Sequence, residues 1–69
     1  MRIEIEYHIK AIREQKNISL RQLEYLSGIS KAQINNIELG NHDATVTTLC
    51  CIAEALRVQP GDLFSYHIV

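Results

Sequence analysis

The sequence predicts an all-α domain built around two short helices joined by a tight turn, and three observations lead there. Between Leu20 and Glu38 the run LRQLEYLSGISKAQINNIE puts Leu23 and Leu26 on one apolar face, breaks at Ser27-Gly28-Ile29, and resumes with Ile34 and Ile37. Spacings of three and four belong to a helix face turned towards a core. Ser19 and Ser30 stand where the two helices would begin, and serine is a preferred N-cap. Thr45–Leu56 repeats the apolar spacing through Val46, Leu49, Ile52, Ala53 and Leu56, long enough to back the pair. Two helices crossing over a short glycine-containing turn make a helix-turn-helix unit, whose second helix can enter a DNA major groove.

At the start of the chain Ile3, Ile5, Tyr7 and Ile9 alternate with Arg2, Glu4, Glu6 and His8, the period of a half-buried strand. From Tyr7 the spacing is helical as well, through Ile9 and Ile12. The expectation is a strand at 2–5 and a helix from about 7 to 16. Lys16-Asn17 would end that helix, because a basic last turn suits the helix dipole and asparagine tolerates the left-handed conformation. Ile18 precedes the Ser19 cap and is placed for a hydrophobic staple onto Leu23, while Gln22 completes a capping box. The second helix is expected to reach about Leu26, and the third to run from about Lys31 to Glu38. Leu39-Gly40-Asn41-His42-Asp43 reads as a loop. After the Thr45–Leu56 helix, Pro60 disfavours helix at Gln59 and opens a last helical turn, Pro-Gly-Asp-Leu-Phe. Phe64–Val69 alternates again and suits a second short strand, with the N-terminal strand as its partner.

Sixty-nine residues read as one domain, 1–69, with the helix-turn-helix unit at about 19–38. A chain of this length buries only about 60% of its unfolded surface, so a second copy is a natural supplement to its core. The two cysteines, Cys50 and Cys51, are adjacent, so they neither staple the fold nor have metal-ligand spacing, and a reducing, cytoplasmic setting fits them best. Met1–Lys10 is charged at alternate positions, unlike a signal peptide, and the uncharged run Ala44–Ala53 is too short and polar for a membrane span. No cofactor motif is present. The net charge of −1 counts against an indiscriminate nucleic-acid binder but not against a specific reader with a few well-placed cations.

The residues Ile12-Arg13-Glu14, Ile18-Ser19, Leu23, Ser27-Gly28-Ile29-Ser30, Ile34, Ile37-Glu38, Gly40, Leu49, Ile52-Ala53-Glu54-Ala55-Leu56 and Asp62-Leu63-Phe64 together resemble the Cro/repressor-like, or XRE, helix-turn-helix family. The resemblance covers roughly residues 7–64. It implies a compact bundle of five short helices, with the second and third forming the DNA-binding unit, and a structural ion pair between Arg13 and Glu38 that pins the recognition helix to the first helix. Three departures stand out. Leu20 occupies a position where relatives have a phosphate-gripping glutamine. Glu24 replaces a small alanine where the two helices approach closely, so it is expected to point outward or find a cation. The loop after the recognition helix offers Asn41 and His42 in place of basic residues, and Ala44 in place of a proline.

With Ile34 and Ile37 turned inward, the outer face of the third helix is left to Ser30, Lys31, Ala32, Gln33, Asn35 and Asn36. The family's geometry implies that Lys31, Ala32 and Asn36, with Gln33 at the side, meet base edges. Their chemistry suits this: lysine donates to guanine, asparagine can bond adenine twice, and an alanine methyl can meet a thymine methyl. Arg21, Ser30, Asn35, Asn41 and His42 are the candidates for phosphates, which set register and not sequence.

An enzyme is not expected, because His8, His42 and His67 fall in different elements and neither cysteine has a histidine at a recognisable spacing. The expected function is a repressor-like regulator that reads double-stranded DNA as a homodimer on a two-fold site. The rival is a protein-interaction module, such as an antitoxin or phage-type regulator, acting on a partner protein. The exposed side of the Thr45–Leu56 helix, the Pro60–Phe64 turn, and Tyr66 and Ile68 of the tail supply apolar surface for a second copy. Tyr66 and Ile68 would also pair with Ile3 and Ile5 within one chain.

Overall fold

The computed structural model describes all residues, 1–69. Strand β1 (Ile3–Tyr7) leads into helices α1 (Ile9–Gln15), α2 (Leu20–Ser27), α3 (Lys31–Glu38) and α4 (Val46–Leu56). A 3₁₀ turn over Pro60–Leu63 then delivers the chain into strand β2 (Phe64–Ile68). The strands pair antiparallel, Ile3 against Ile68, Ile5 against Tyr66 and Tyr7 against Phe64.

Each helix end has a local chemical cause. The Gln22 N–H donates to Ser19 Oγ at 3.1 Å while the Ser19 N–H donates to Gln22 Oε1 at 2.8 Å, the reciprocal pair of a capping box. Ser30 Oγ accepts from the Gln33 N–H, and Thr45 Oγ1 from the Thr48 N–H, each at 3.1 Å, satisfying first-turn donors that have no partner within the helix. Helix α1 is followed by Asn17 at φ 58°, α2 by Gly28 at φ 75°, and α4 by Arg57 at φ 60°. These are left-handed stops, costly for a side chain such as that of Arg57 and cheaper for asparagine or glycine.

The nine core residues are Ile9 from α1, Leu23 from α2, Ile34 and Ile37 from α3, Leu49, Ile52, Ala53 and Leu56 from α4, and Leu63 from the 3₁₀ turn. Helix α4 supplies four of the nine, and α2 packs between it and α3. The molecule measures 37 × 21 × 20 Å. No helix is long and apolar enough to cross a membrane.

The helix count and several element boundaries are corrected. The bundle has four α-helices and not five, because Phe64 leaves the last helical turn to pair with Tyr7 in the sheet. Only four residues remain, and so short a segment closes as one 3₁₀ turn. The N-terminal strand also runs later than 2–5, through Tyr7, and α1 starts at Ile9 and not at about 7. The deciding contacts lie far along the chain: Tyr7 is in register with Phe64, and the His8 N–H donates to the Leu63 carbonyl at 2.7 Å. The second helix extends one residue beyond Leu26, to Ser27.

Candidate nucleic-acid interface

The helix-turn-helix unit is set by three short links. Gly28 takes the left-handed conformation, and a Cβ there would meet nothing within 4 Å, so backbone angle and not space makes glycine the suitable residue. Ser27 Oγ accepts from the Ile29 N–H at 3.1 Å, closing the turn. The Glu24 carboxylate then reaches seven residues ahead, where Oε2 accepts from the Lys31 backbone N–H at 2.7 Å. The expected alternatives for Glu24, a solvent-facing side chain or a cation partner, are thus replaced by a third arrangement. It is a charged acceptor at the positive end of α3, favoured by the helix dipole.

A second set of contacts ties the unit to α1. The Arg13 guanidinium donates to both carboxylate oxygens of Glu38, Nε to Oε2 at 2.9 Å and Nη2 to Oε1 at 3.1 Å, and Nη1 donates to the Ile18 carbonyl at 3.0 Å. The two side chains are 9% and 3% exposed, so this fork joins the last turn of α3, the middle of α1 and the entry to α2 out of water. The hydrogen bond to Glu38 raises the Arg13 pKa above its ordinary value and outweighs burial, which lowers it.

With α3 held at both ends, its first turn is open. Ser30, Lys31, Ala32 and Gln33 are exposed, whereas Asn35 and Asn36 are half-buried beside the buried Ile34 and Ile37. The hydroxyl of Ser30 caps Gln33 and still has a proton to donate. Arg21 is exposed on the first turn of α2, and Asn41 and His42 are exposed in the loop after α3. The Asn41 N–H donates to the Asn36 carbonyl at 2.9 Å, tying loop to helix. Leu20 is half-buried and packs against the core, so no polar group stands at its position. Cys50 and Cys51 are free thiols, and no group of three or more His, Cys, Asp or Glu is placed to hold a metal ion.

Residues 9–63 match the protein family described as Helix-turn-helix. The chain belongs to that family, of XRE type. Members of this helix-turn-helix family are DNA-binding regulators of transcription, and this chain is one of them. Its fold is similar to that of the restriction-modification controller protein C.AhdI from Aeromonas hydrophila, with a TM-score of 0.77 at 24% identity over 80% of this chain and 83% of that one. No curated protein matches it in sequence.

Two positioning residues escaped sequence reasoning. Glu24 acts on a backbone donor across the turn, and no side-chain spacing signals such a partner. Tyr7 lies on β1, yet its hydroxyl accepts from the Ala44 N–H at 3.0 Å and donates to Asp43 Oδ1 at 3.3 Å. It thereby holds the far end of the loop that bears Asn41 and His42. Those partners lie 36 and 37 positions further along the chain, and only tertiary structure brings them to Tyr7.

Proposed function

We propose that this regulator is repressor-like and reads a two-fold operator as a homodimer, with α3 of each copy in a major groove. The carrying observation is the open first turn of α3, with Lys31, Ala32 and Gln33 facing solvent, on a helix fixed by Arg13–Glu38 at one end and Glu24 at the other. Lys31, Ala32, Gln33 and Asn36 are assigned to base edges, and Arg21, Ser30, Asn35, Asn41 and His42 to phosphates. In this reading the protein works in the cytoplasm without cofactor or catalysis, and a bidentate Asn36–adenine contact contributes about 1–3 kcal/mol of discrimination.

Selection of bound sites from random duplexes tests it. A two-fold motif is expected, and Asn36→Ala should relax preference at one base pair of each half-site. Arg21→Ala should instead weaken all sequences alike and flatten the slope of log K against log[salt] by about 0.9 for each phosphate it no longer neutralises. No enriched motif together with a zero salt slope would sink the reading and favour action on a protein partner.

A further inference from the structure

The two-stranded sheet leaves apolar side chains in solvent. Ile3 and Ile5 are 44% and 40% exposed, and Tyr66 and Ile68, directly opposite them, are 60% and 65% exposed. These four side chains share one face of the sheet. A ribbon of two strands is at best marginally stable in water, and this one has two open edges. The hydrogen-bond parity shows what those edges present. The Val69 N–H donates to the Arg2 carbonyl at 2.8 Å and the His8 N–H to the Leu63 carbonyl at 2.7 Å. Bonded and non-bonded pairs alternate in an antiparallel ladder, so Glu4 with His67 and Glu6 with Ser65 are the bonded pairs. The backbone groups of Ile3, Ile5 and Tyr7 on one strand, and of Phe64, Tyr66 and Ile68 on the other, therefore point to the free edges.

Charge separates the two edges. Antiparallel self-pairing of β1 with full overlap would turn on Ile5 and set Glu4 directly against Glu6 of the second copy, twice, which is destabilising. That edge is guarded. Self-pairing of β2 with full overlap turns on Tyr66, sets Phe64 against Ile68 and Ser65 against His67, and brings no like charges together. We infer that the β2 edge is the homodimer contact of this protein, with two copies joined at Tyr66 into a four-stranded sheet in the order β1-β2-β2-β1. The inference rests on the dimeric reading above and names its surface. The joined sheet satisfies the outward N–H and C=O groups of both β2 strands and packs Phe64, Tyr66 and Ile68 against their counterparts.

Sedimentation of the full chain without DNA tests it, with the thermal melt of each variant as a check on folding. Wild type should dimerise, and Tyr66→Lys and Tyr66→Glu should each weaken the dimer by roughly tenfold or more, since each sets like charges opposite one another across the axis. Mixing the two variants should restore association, because opposite charges then meet. Ile68→Lys serves as the probe should a Tyr66 variant fail to fold. A wild-type chain that stays monomeric, or a mixture that does not re-associate, overturns the inference. If the Tyr66 variants remain dimeric while Val46→Asp, on the 76% exposed start of α4, dissociates the protein, this interface falls and the dimeric reading stands. Enrichment of a two-fold operator by wild type tests that reading separately.

Discussion

Arg13→Ala is the substitution whose outcome the structure constrains most. Arg13 is joined to Glu38 by two hydrogen bonds of 2.9 and 3.1 Å and to the Ile18 carbonyl by a third of 3.0 Å, and the Glu38 side chain is only 3% exposed. Removing the guanidinium strands a carboxylate out of water, which costs about 3–5 kcal/mol. A domain of this size has a total stability of about 3–10 kcal/mol. The variant should therefore melt at least about 12 °C lower, taking about 4 °C per kcal/mol, or be largely unfolded at room temperature. Glu38→Ala should cost less, about 1.5–3 kcal/mol, since Arg13 keeps the Ile18 carbonyl and has a long side chain able to reach solvent.

Arg13→Met combined with Glu38→Leu should recover most of that stability, because an apolar pair of similar volume leaves no buried charge. Urea denaturation of wild type, Arg13→Ala, Glu38→Ala and the double variant carrying both alanines gives the cycle, and the pair should show a coupling of about 0.5–3 kcal/mol. The sign with pH follows from the raised Arg13 pKa. The contribution of a raised base is complete below its unfolded pKa and is lost only as pH rises through the folded value. For an arginine that lies beyond the accessible range, so the Arg13→Ala deficit should not shrink between neutral and mildly alkaline pH. A melting temperature within about 4 °C of wild type, or a zero coupling, would refute the clamp.

Two further substitutions separate stability from binding. Glu24→Ala removes the acceptor of the Lys31 N–H; it should cost about 1 kcal/mol in urea denaturation yet raise DNA affinity at low salt by removing a negative charge beside the recognition helix. Weaker binding by a folded variant would show that Glu24 helps the interface. Arg57→Gly relieves a left-handed arginine at φ 60°; strain relief of about 1–2 kcal/mol against an unfolded-state entropy cost of about 0.5–1 kcal/mol leaves a small net gain, visible as a higher urea midpoint. A lower midpoint would mean that the Arg57 side chain stabilises the end of α4 more than its backbone strains it.

The helix-turn-helix unit was legible in the sequence because its signals are local. Ser19 with Gln22, Ser30 with the Gln33 N–H, and Gly28 at a left-handed stop all act within a few residues, and the apolar period of α4 needs no partner to be read. What escaped depends on contacts across the chain. Ile3–Ile9 satisfies the strand period while Ile9 and Ile12 satisfy the helical one, and the break at His8 is decided by Leu63 and Phe64. The same pairing shortens the predicted fifth helix to one turn. At the interface, the outward face of α3 followed from subtracting Ile34 and Ile37, but the half-burial of Asn36 did not, since it depends on how the loop to Asn41 folds back on the helix. Glu24 looked like a misfit because a sequence weighs it as a side chain against side chains, and its partner is backbone.

The charges around α3 bear on where affinity originates. From Ser19 to Asp43 the only lysine or arginine residues are Arg21 and Lys31. Against them stands the Glu24 carboxylate at the start of the recognition helix, while Glu38 is already neutralised by Arg13. Each phosphate neutralised adds about 0.9 to the salt slope, so one copy holding a half-site with one or two such contacts grips weakly and nonspecific binding is weaker still. A second copy on an adjacent half-site makes the second binding event intramolecular, which raises overall affinity by about 10²–10⁴ with the same contacts per copy. On the proposed dimer, occupancy of DNA therefore tracks association of the sheets more than the cations of either copy. A Tyr66→Lys chain, folded and with its α3 face intact, should lose the two-fold site while keeping wild-type binding to an isolated half-site. The sheet then acts as the concentration-sensitive part of a regulator whose reading helix is the same in monomer and dimer.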